Sequence, residues 1–276
     1  GEIITLNASE GVGPWHQAHS YVRGHWSVTE KATPMIVAKS CHDMDIISWI
    51  VDRPCRTVSS FGSLSHFRAA NAPDGAPERC TQGCPQQGAC AYDALHYLGK
   101  HRAWLQYVYD RWDTAADSEK IAWLGQSPWG RCVYRCDNTA VDHQVVAMEF
   151  EGGATATFTM TAFDDGRNIE IMGTRGVLRG GHLLRHQFGC DLMLRDHTSG
   201  TETRIVISQE EGGYESHGGG DPGLVRALYG EMTGKAAAEM RSSITRSVES
   251  HLMAFGAERA RATGREVRLA DLRGTP

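Results

Sequence analysis

The 276-residue sequence lacks the features of several large classes of protein. With a net charge of -5 and no basic stripe, it has no electrostatic basis for binding nucleic acid. Its longest apolar runs, such as Met35 to Ala38, are far too short to span a bilayer. We therefore expect neither nucleic acid nor a membrane among its partners.

The N-terminus carries no basic region followed by an apolar stretch, so no secretory signal is visible. Its first residues, Gly-Glu-Ile-Ile-Thr-Leu, are typical of the inside of a strand. We expect the chain to be a trimmed piece of a longer protein, without its targeting region, and to be cytoplasmic.

Two enzyme motifs are also missing. No Gly-x-Gly-x-x-Gly follows a strand and opens a helix, which a dinucleotide pyrophosphate requires. The segment 217–220 (His-Gly-Gly-Gly) resembles an esterase oxyanion loop, but the Gly-x-Ser-x-Gly nucleophile motif is absent. The chain is therefore expected neither to bind a nicotinamide cofactor by itself nor to be a Ser-His-Asp hydrolase.

Five of the eight cysteines form two short groups: Cys80, Cys84 and Cys90, then Cys132 and Cys136. Such clustering favours a metal over disulfides in a chain this long. Zinc prefers four ligands, so the first three thiolates with Cys136, or instead Cys132, would make a structural site. The spacing is not that of a zinc finger, and free thiols, disulfides or an iron–sulfur cluster remain alternatives.

The first half of the chain mixes helical and extended patterns. A helix is predicted after Pro34, because proline suits a first helical turn and apolar residues follow at helical spacing. Residues 66–90 are rich in Pro, Gly, Asn and Cys, which predicts a long irregular insert. Strands are predicted at 2–9, 18–24 and 55–64, and a helix at 91–111.

After residue 141 the sequence changes to a run of strand-like segments separated by turn residues. Gly152-Gly153 between two strand-like runs predicts a hairpin over 141–161. Further strands are predicted at 167–173, 176–181, 188–196 and 202–208, and helices at 222–233 and 243–263. The pattern predicts an α+β fold, with an open, mostly antiparallel or mixed sheet that carries its helices on one face, in a single domain over 1–276.

His42 is the best candidate for the acid/base or substrate-orienting group, with Lys39 beside it. They stand three residues apart in the predicted helix, so they share a face near its start. A lysine and a histidine together can move a proton to or from a hydroxyl. The alternative is a buried histidine beside a solvated lysine.

The ordered motifs of the chain resemble the Gfo/Idh/MocA family of oxidoreductases, in a cysteine-containing subgroup. The resemblance covers almost the whole chain and lies in five segments: 19–24 (HSYVRG), 39–46 (KSCHDMDI), 131–138 (RCVYRCDN), 143–146 (HQVV) and 250–255 (SHLMAF).

The resemblance implies that this chain is the C-terminal, substrate-binding and dimerisation domain, and that the N-terminal Rossmann domain is absent from it. That domain would bind NAD or NADP. The open sheet would form a homo-oligomer. Many members carry Asp four residues before the histidine that matches His42; Ala38 stands there, so Lys39 is expected to do part of its work.

The function implied is oxidation or reduction of a sugar or polyol hydroxyl by the full-length enzyme, with this chain inactive alone. Alternatives are a glycosidase that uses a transient redox step and a non-catalytic, zinc-stabilised sugar-binding module. The candidate hydroxyl-binding residues are Arg23, Arg135, Asp137, His143 and His217.

Overall fold

A mixed, mostly antiparallel open sheet forms the centre of the fold. The computed structural model describes residues 1–207, 220–235 and 243–273. Their nine strands are β1 (Ile3–Val12), β2 (Cys55–Ser63), β3 (His143–Phe150), β4 (Thr155–Thr161), β5 (Asp165–Gly173), β6 (Gly176–Gly181), β7 (Leu192–Asp196), β8 (Glu202–Ile205) and β9 (Val267–Arg268). Their order is β8-β7-β6-β5-β1-β4-β3-β2-β9. Only the pair β1–β4 is parallel within this part of the chain.

Helices connect these strands. They are α1 (Pro14–His16), a π-helix that continues it (Gln17–Val22), α2 (Met35–Ala38), α3 (Cys41–Val51), α4 (Asp117–Leu124), α5 (His182–Phe188), α6 (Gly220–Met232) and α7 (Ile244–Thr263). No helix among the described residues combines the length and apolarity that crossing a membrane requires.

One face of the sheet builds the main core. Alternate residues of β3 and β4 point to this face, so Val146 and Met148 pack beside Phe158 and Met160. Helices α2, α3 and α7 cover them, and Met44 of α3 joins the same buried cluster. The predicted arrangement of an open sheet with helices packed on one face is confirmed.

The other face carries short polar side chains. Thr155 donates to Thr5 (3.0 Å) and Thr157 donates to Asn7 (2.7 Å) across the parallel pair. Phe61 of β2 lies among them with 74% of its surface exposed. In the described chain, this central part of the face remains open to solvent.

Two predicted elements are wrong. Residues 18–24 form a π-helix and its end rather than a strand, because Gly13 turns the backbone at φ +88° and Pro14 starts a helix. In place of one helix over 91–111 there are two 3₁₀-helices, Ala94–Leu98 and Arg102–Tyr107, which the irregular backbone at Gly99 separates.

Three other predictions need adjustment. The helix predicted after Pro34 is two helices, α2 and α3, broken at Lys39 and Ser40. The strand predicted at 188–196 begins only at Leu192, because α5 extends to Phe188. The hairpin over 141–161 is confirmed as β3 and β4.

The insert between β2 and β3 packs into cores of its own. As predicted, residues 66–90 are largely irregular, and the 3₁₀-helix Ala69–Asn71 is followed by turns. Phe67, Tyr92 and Val133 form one buried cluster, and Trp15, Tyr97 and Trp129 belong to a second. The insert is thus an ordered body beside the end of β1, and its Trp104, Tyr107 and Trp129 line one wall of an open cleft.

Candidate functional site

The end of β1 places the site. Glu10, Gly11 and Val12 are buried there. A Cβ on Gly13 would meet Asp165 Oδ1 at 2.4 Å, and one on Gly11 would meet the backbone of Asp164 at 2.4 Å. Only glycine allows this close approach together with the positive φ of Gly13. The chain then turns into α1 and the π-helix, which carry His16 and His19.

A compact ionic cluster lies at the same end of β1. Glu10, which is 2% exposed, contacts Lys39 Nζ through Oε1 (3.0 Å) and Arg167 Nε through Oε2 (2.6 Å). The same Arg167 Nε donates to Asp43 Oδ1 (2.8 Å), and its guanidinium also contacts His42 Nε2. His42 Nε2 lies 3.4 Å from Asp43 Oδ2. The helix break at 39–40 thus brings Lys39 and His42 to one cluster.

The positive charges of Lys39 and Arg167 compensate the buried carboxylates of the cluster. Burial raises the pKa of Glu10, and the charge of Asp43 raises it further, while Lys39 and Arg167 lower it. Burial also raises the pKa of Asp43 against the lowering effect of Arg167. Removing either cation would therefore leave a buried carboxylate poorly compensated.

The ligand atoms of Glu10, His42 and Asp43 lie within 4.8 Å of one another, which is a metal-like spacing. Arg167, however, contacts all three residues and supplies the positive charge at this position. We therefore assign no metal to this group.

Helix α1 and the π-helix open onto a cleft of about 660 Å³, a size typical of sites for small molecules. Its walls combine imidazole, hydroxyl and amide groups with large aromatic rings. The main lining residues are His16, His19, Ser20, His25, Trp26, Trp104, Gln106, Tyr107 and Trp129.

Two histidines of the cleft are held neutral. Burial is the main cause that lowers the pKa of His16 to about 4, and the charge of Lys39 adds to it. Burial also lowers the pKa of His19 to about 3. His19 Nδ1 lies 2.5 Å from the hydroxyl of buried Tyr97, which orients the ring. His16 lines the cleft and its pKa responds to the charge of Lys39, so the cleft lies within electrostatic range of the ionic cluster.

Sequence reasoning missed both histidines. Their spacing, three residues apart at 16 and 19, is a helical signal after Pro14, and the strand predicted at 18–24 obscured it. Arg167 was also missed, because nothing in the sequence relates it to residues more than 120 positions away.

The predicted hydroxyl-binding residues do not lie together in the cleft. Arg23 is buried and donates to the carbonyls of Arg131 (2.8 Å) and Tyr92 (2.6 Å). Exposed Asp137 pairs with Arg131 at 2.5 Å. Arg23 and Asp137 thus bind other residues of the insert or its neighbours and stabilise its structure.

The other three are placed as follows. Arg135 is half-buried, and its carbonyl accepts from Arg131 (2.6 Å). His143 begins β3 and pairs with buried Asp142 (2.8 Å). His217 lies outside the described residues.

The cysteines converge in the insert. Cys80, Cys84, Cys90 and Cys132 all line one small cavity. Cys136 is absent from that lining, and its thiol donates to the carbonyl of Cys132 (3.3 Å). No three of these sulfurs lie within 4.8 Å of one another among the described residues.

The family model described as "Oxidoreductase family, C-terminal alpha/beta domain" (Gfo/Idh/MocA) matches residues 1–217, and the chain belongs to this family.

Its relatives are distant in sequence. YteT of Bacillus subtilis (strain 168), which carries the name of an oxidoreductase, is 22% identical over 240 residues, covering 83% of this chain and 54% of YteT. An oxidoreductase from Agrobacterium radiobacter, solved with NAD⁺, L-tartaric acid and magnesium, superimposes with a TM-score of 0.57 at 12% identity, covering 99% of this chain and 58% of that one.

The scyllo-inositol dehydrogenase of Lactobacillus casei, solved with NAD(H) and scyllo-inositol, has a TM-score of 0.50 at 13% identity, covering 98% of this chain and 57% of that one. At these identities the solved structures establish the fold alone. The chain spans little more than half the length of these relatives.

Proposed function

We propose that the whole protein transfers a hydride between a carbon-bound hydroxyl of a sugar or polyol and NAD or NADP, and that this chain supplies the substrate side. The observation that carries the proposal is the aromatic and histidine-lined cleft, whose His16 lies within electrostatic range of the Glu10–Lys39 ion pair. Family membership supports a redox reaction, and the inositol-bound relative supports a polyhydroxylated substrate.

The described residues do not fit the dinucleotide itself. The glycines that end β1 face the backbone of Asp164 and the carboxylate of Asp165, which would repel a pyrophosphate. We therefore assign cofactor binding to a part of the protein outside this chain. No step through the cofactor follows from these residues.

What the chain's own residues do follows from their chemistry. Neutral His16 and His19 each offer one N–H donor and one acceptor, which suits a hydroxyl group. Trp104, Tyr107 and Trp129 supply the apolar walls typical of such pockets. We assign proton transfer to and from the reacting hydroxyl to Lys39, with His42 orienting the substrate or sharing that transfer.

The test is steady-state kinetics of the whole protein on a panel of sugars, inositols and hydroxy acids, following the reduced nicotinamide. Lys39→Arg keeps the charge beside Glu10, but a guanidinium does not release its proton at neutral pH. We expect kcat to fall about 100-fold or more in this variant, because general acid–base catalysis contributes about 10²–10⁴-fold. His42→Ala should also lower kcat, and His16→Ala should mainly raise KM.

The matched control is His251→Ala, on the exposed surface of α7, which should leave both constants unchanged. Full kcat in Lys39→Arg would refute the assigned role of Lys39. Reaction with none of the polyhydroxylated substrates, or glycoside cleavage without net change in the nicotinamide, would refute the proposed reaction.

A further inference from the structure

Four of the five cysteines of the insert come from three separate stretches of chain and line one small cavity. Cys80 and Cys84 lie in consecutive turns, Cys90 closes a turn begun at Gln86, and Cys132 approaches from the far end of the insert. The cavity that they line measures about 20 Å³, enough for one particle the size of a water molecule. A single ion therefore fits, and a larger ligand does not.

The backbone orients two of the sulfurs to the same side. Arg79 and Arg131 form an antiparallel bridge, flanked by hydrogen bonds from Cys80 N to Gly130 O (3.0 Å) and from Cys132 N to Glu78 O (2.9 Å). Successive residues of paired strands point to opposite faces. Cys80 and Cys132, each one residue past the bridge, therefore project from the same face.

A buried cation stands beside the sulfurs. Arg23 is 4% exposed, and its Nη2 lies 3.8 Å from Cys80 Sγ in hydrogen-bonding geometry. Its Nη1 is buried with no hydrogen-bond partner among the described residues. A guanidinium in this position stabilises thiolates and offsets part of the negative charge that four of them would bring to a divalent cation.

We propose that Cys80, Cys84, Cys90 and Cys132 together bind one zinc-like divalent cation that holds the insert in place. Four thiols release four protons and become the ligands, so the complex carries a net charge of -2 beside Arg23. Binding draws the sulfurs to about 3.8 Å from one another, the edge of a tetrahedron with Zn–S bonds of about 2.3 Å. The role is structural, because four protein ligands leave no open position.

The cavity lining favours Cys132 over Cys136 as the fourth ligand, a choice that the sequence left open. Cys136 is not a ligand in this proposal, and its thiol donates a hydrogen bond to the carbonyl of Cys132. The pair therefore provides a matched comparison, because the two cysteines are four residues apart and belong to the same buried cluster. The site is independent of the proposed redox reaction, and its test does not use activity.

The experiment measures metal by mass spectrometry in the full chain purified from zinc-supplied medium. We expect about one zinc per chain in the native protein, in Cys136→Ser and in the control Cys190→Ser, which lies in the separate Leu184–Met193 cluster. Cys132→Ser and Cys84→Ser should retain less than a tenth of that zinc. Their circular dichroism should report an intact sheet, while limited proteolysis cuts the insert.

A second measurement keeps the test valid where a variant does not fold. The native chain, stripped of metal and titrated with cobalt(II), should show the visible absorption of a tetrahedral thiolate complex. Three results would overturn the proposal: native protein without metal and without that cobalt spectrum, equal zinc loss in Cys136→Ser and Cys132→Ser, or disulfides between these cysteines in mass spectra of the unreduced protein.

Discussion

At the scale of single residues, the candidate site depends on groups whose protonation the fold controls. Lys39 and Arg167 reach Glu10 from two distant parts of the chain and compensate a carboxylate that is almost fully buried. His16 and His19 carry the opposite kind of perturbation, since burial favours their neutral forms. These neutral rings make the cleft suited to hydroxyl groups rather than to anions.

The lowered pKa of His19 predicts a pH dependence of stability. An unfolded histidine has a pKa near ~6.5, whereas folded His19 titrates at about 3. Below the unfolded value the unfolded state binds more protons, so the free energy of unfolding falls as the pH drops from about 6.5 towards 3. His19→Gln should remove on the order of 1–3 kcal/mol of this loss between about pH 7 and 4.

Urea denaturation over this pH range measures the effect. His16, whose pKa is also lowered, decreases the free energy of unfolding at low pH in both the native protein and the variant. The variant should therefore keep a pH dependence of stability, but a shallower one. His251→Gln, at an exposed position of α7, is the control and should follow the native curve. An unchanged slope in His19→Gln would mean that His19 does not remain neutral in the folded protein.

At the scale of elements, helix α7 determines how closely the helical layer approaches the sheet. Its buried side is lined by small residues, including Ala254, Gly256 and Ala257. A Cβ at Gly256 would lie 2.9 Å from Val58 Cγ2 on β2, closer than side chains normally approach. The contact between α7 and β2 therefore depends on this glycine.

A pair of glycine substitutions tests this packing. Gly256→Ala gains up to ~1 kcal/mol of helix propensity but must push Val58 aside, so we expect a net destabilisation of about 1–3 kcal/mol. Gly223→Ala in α6 is the matched control, because a Cβ there meets nothing within 4 Å. It should be neutral or stabilising in urea denaturation. Equal effects in the two variants would contradict the close approach of α7.

At the scale of the whole molecule, the open face of the sheet is the candidate surface for a partner. Phe61 and Val145 are paired across β2 and β3 and are both exposed. Around them the strands present threonines rather than charges, a composition that protein interfaces tolerate well. An exposed apolar pair on a flat sheet face favours association with a second copy.

We expect the chain to be a homodimer through this face. Phe61→Glu should shift it to a monomer in light scattering, because a charge buried against the partner has no compensating group. Val248→Glu, at an exposed apolar position of α7, is the control and should leave the dimer intact. A native chain that stays monomeric at every concentration would rule the dimer out.

Much of the fold could be predicted from the sequence because its signals are local. Gly152-Gly153 between two strand-like runs predicted the hairpin of β3 and β4. The Pro, Gly, Asn and Cys content of residues 66–90 predicted their lack of regular structure. The π-helix at Gln17–Val22 was missed because its residues are all buried, and buried segments show no amphipathic period.

The sequence by itself predicted the family and the open sheet with its helical layer, and it marked Lys39, His42 and the clustered cysteines as candidates. Only the tertiary structure decided which groups meet. It brings Lys39 and Arg167 into contact with Glu10. It also places His16 and His19 in the cleft and buries Arg23 next to Cys80. The physical reason is that burial and electrostatic pairing depend on separation in space, and local patterns carry no information about residues more than a hundred positions apart.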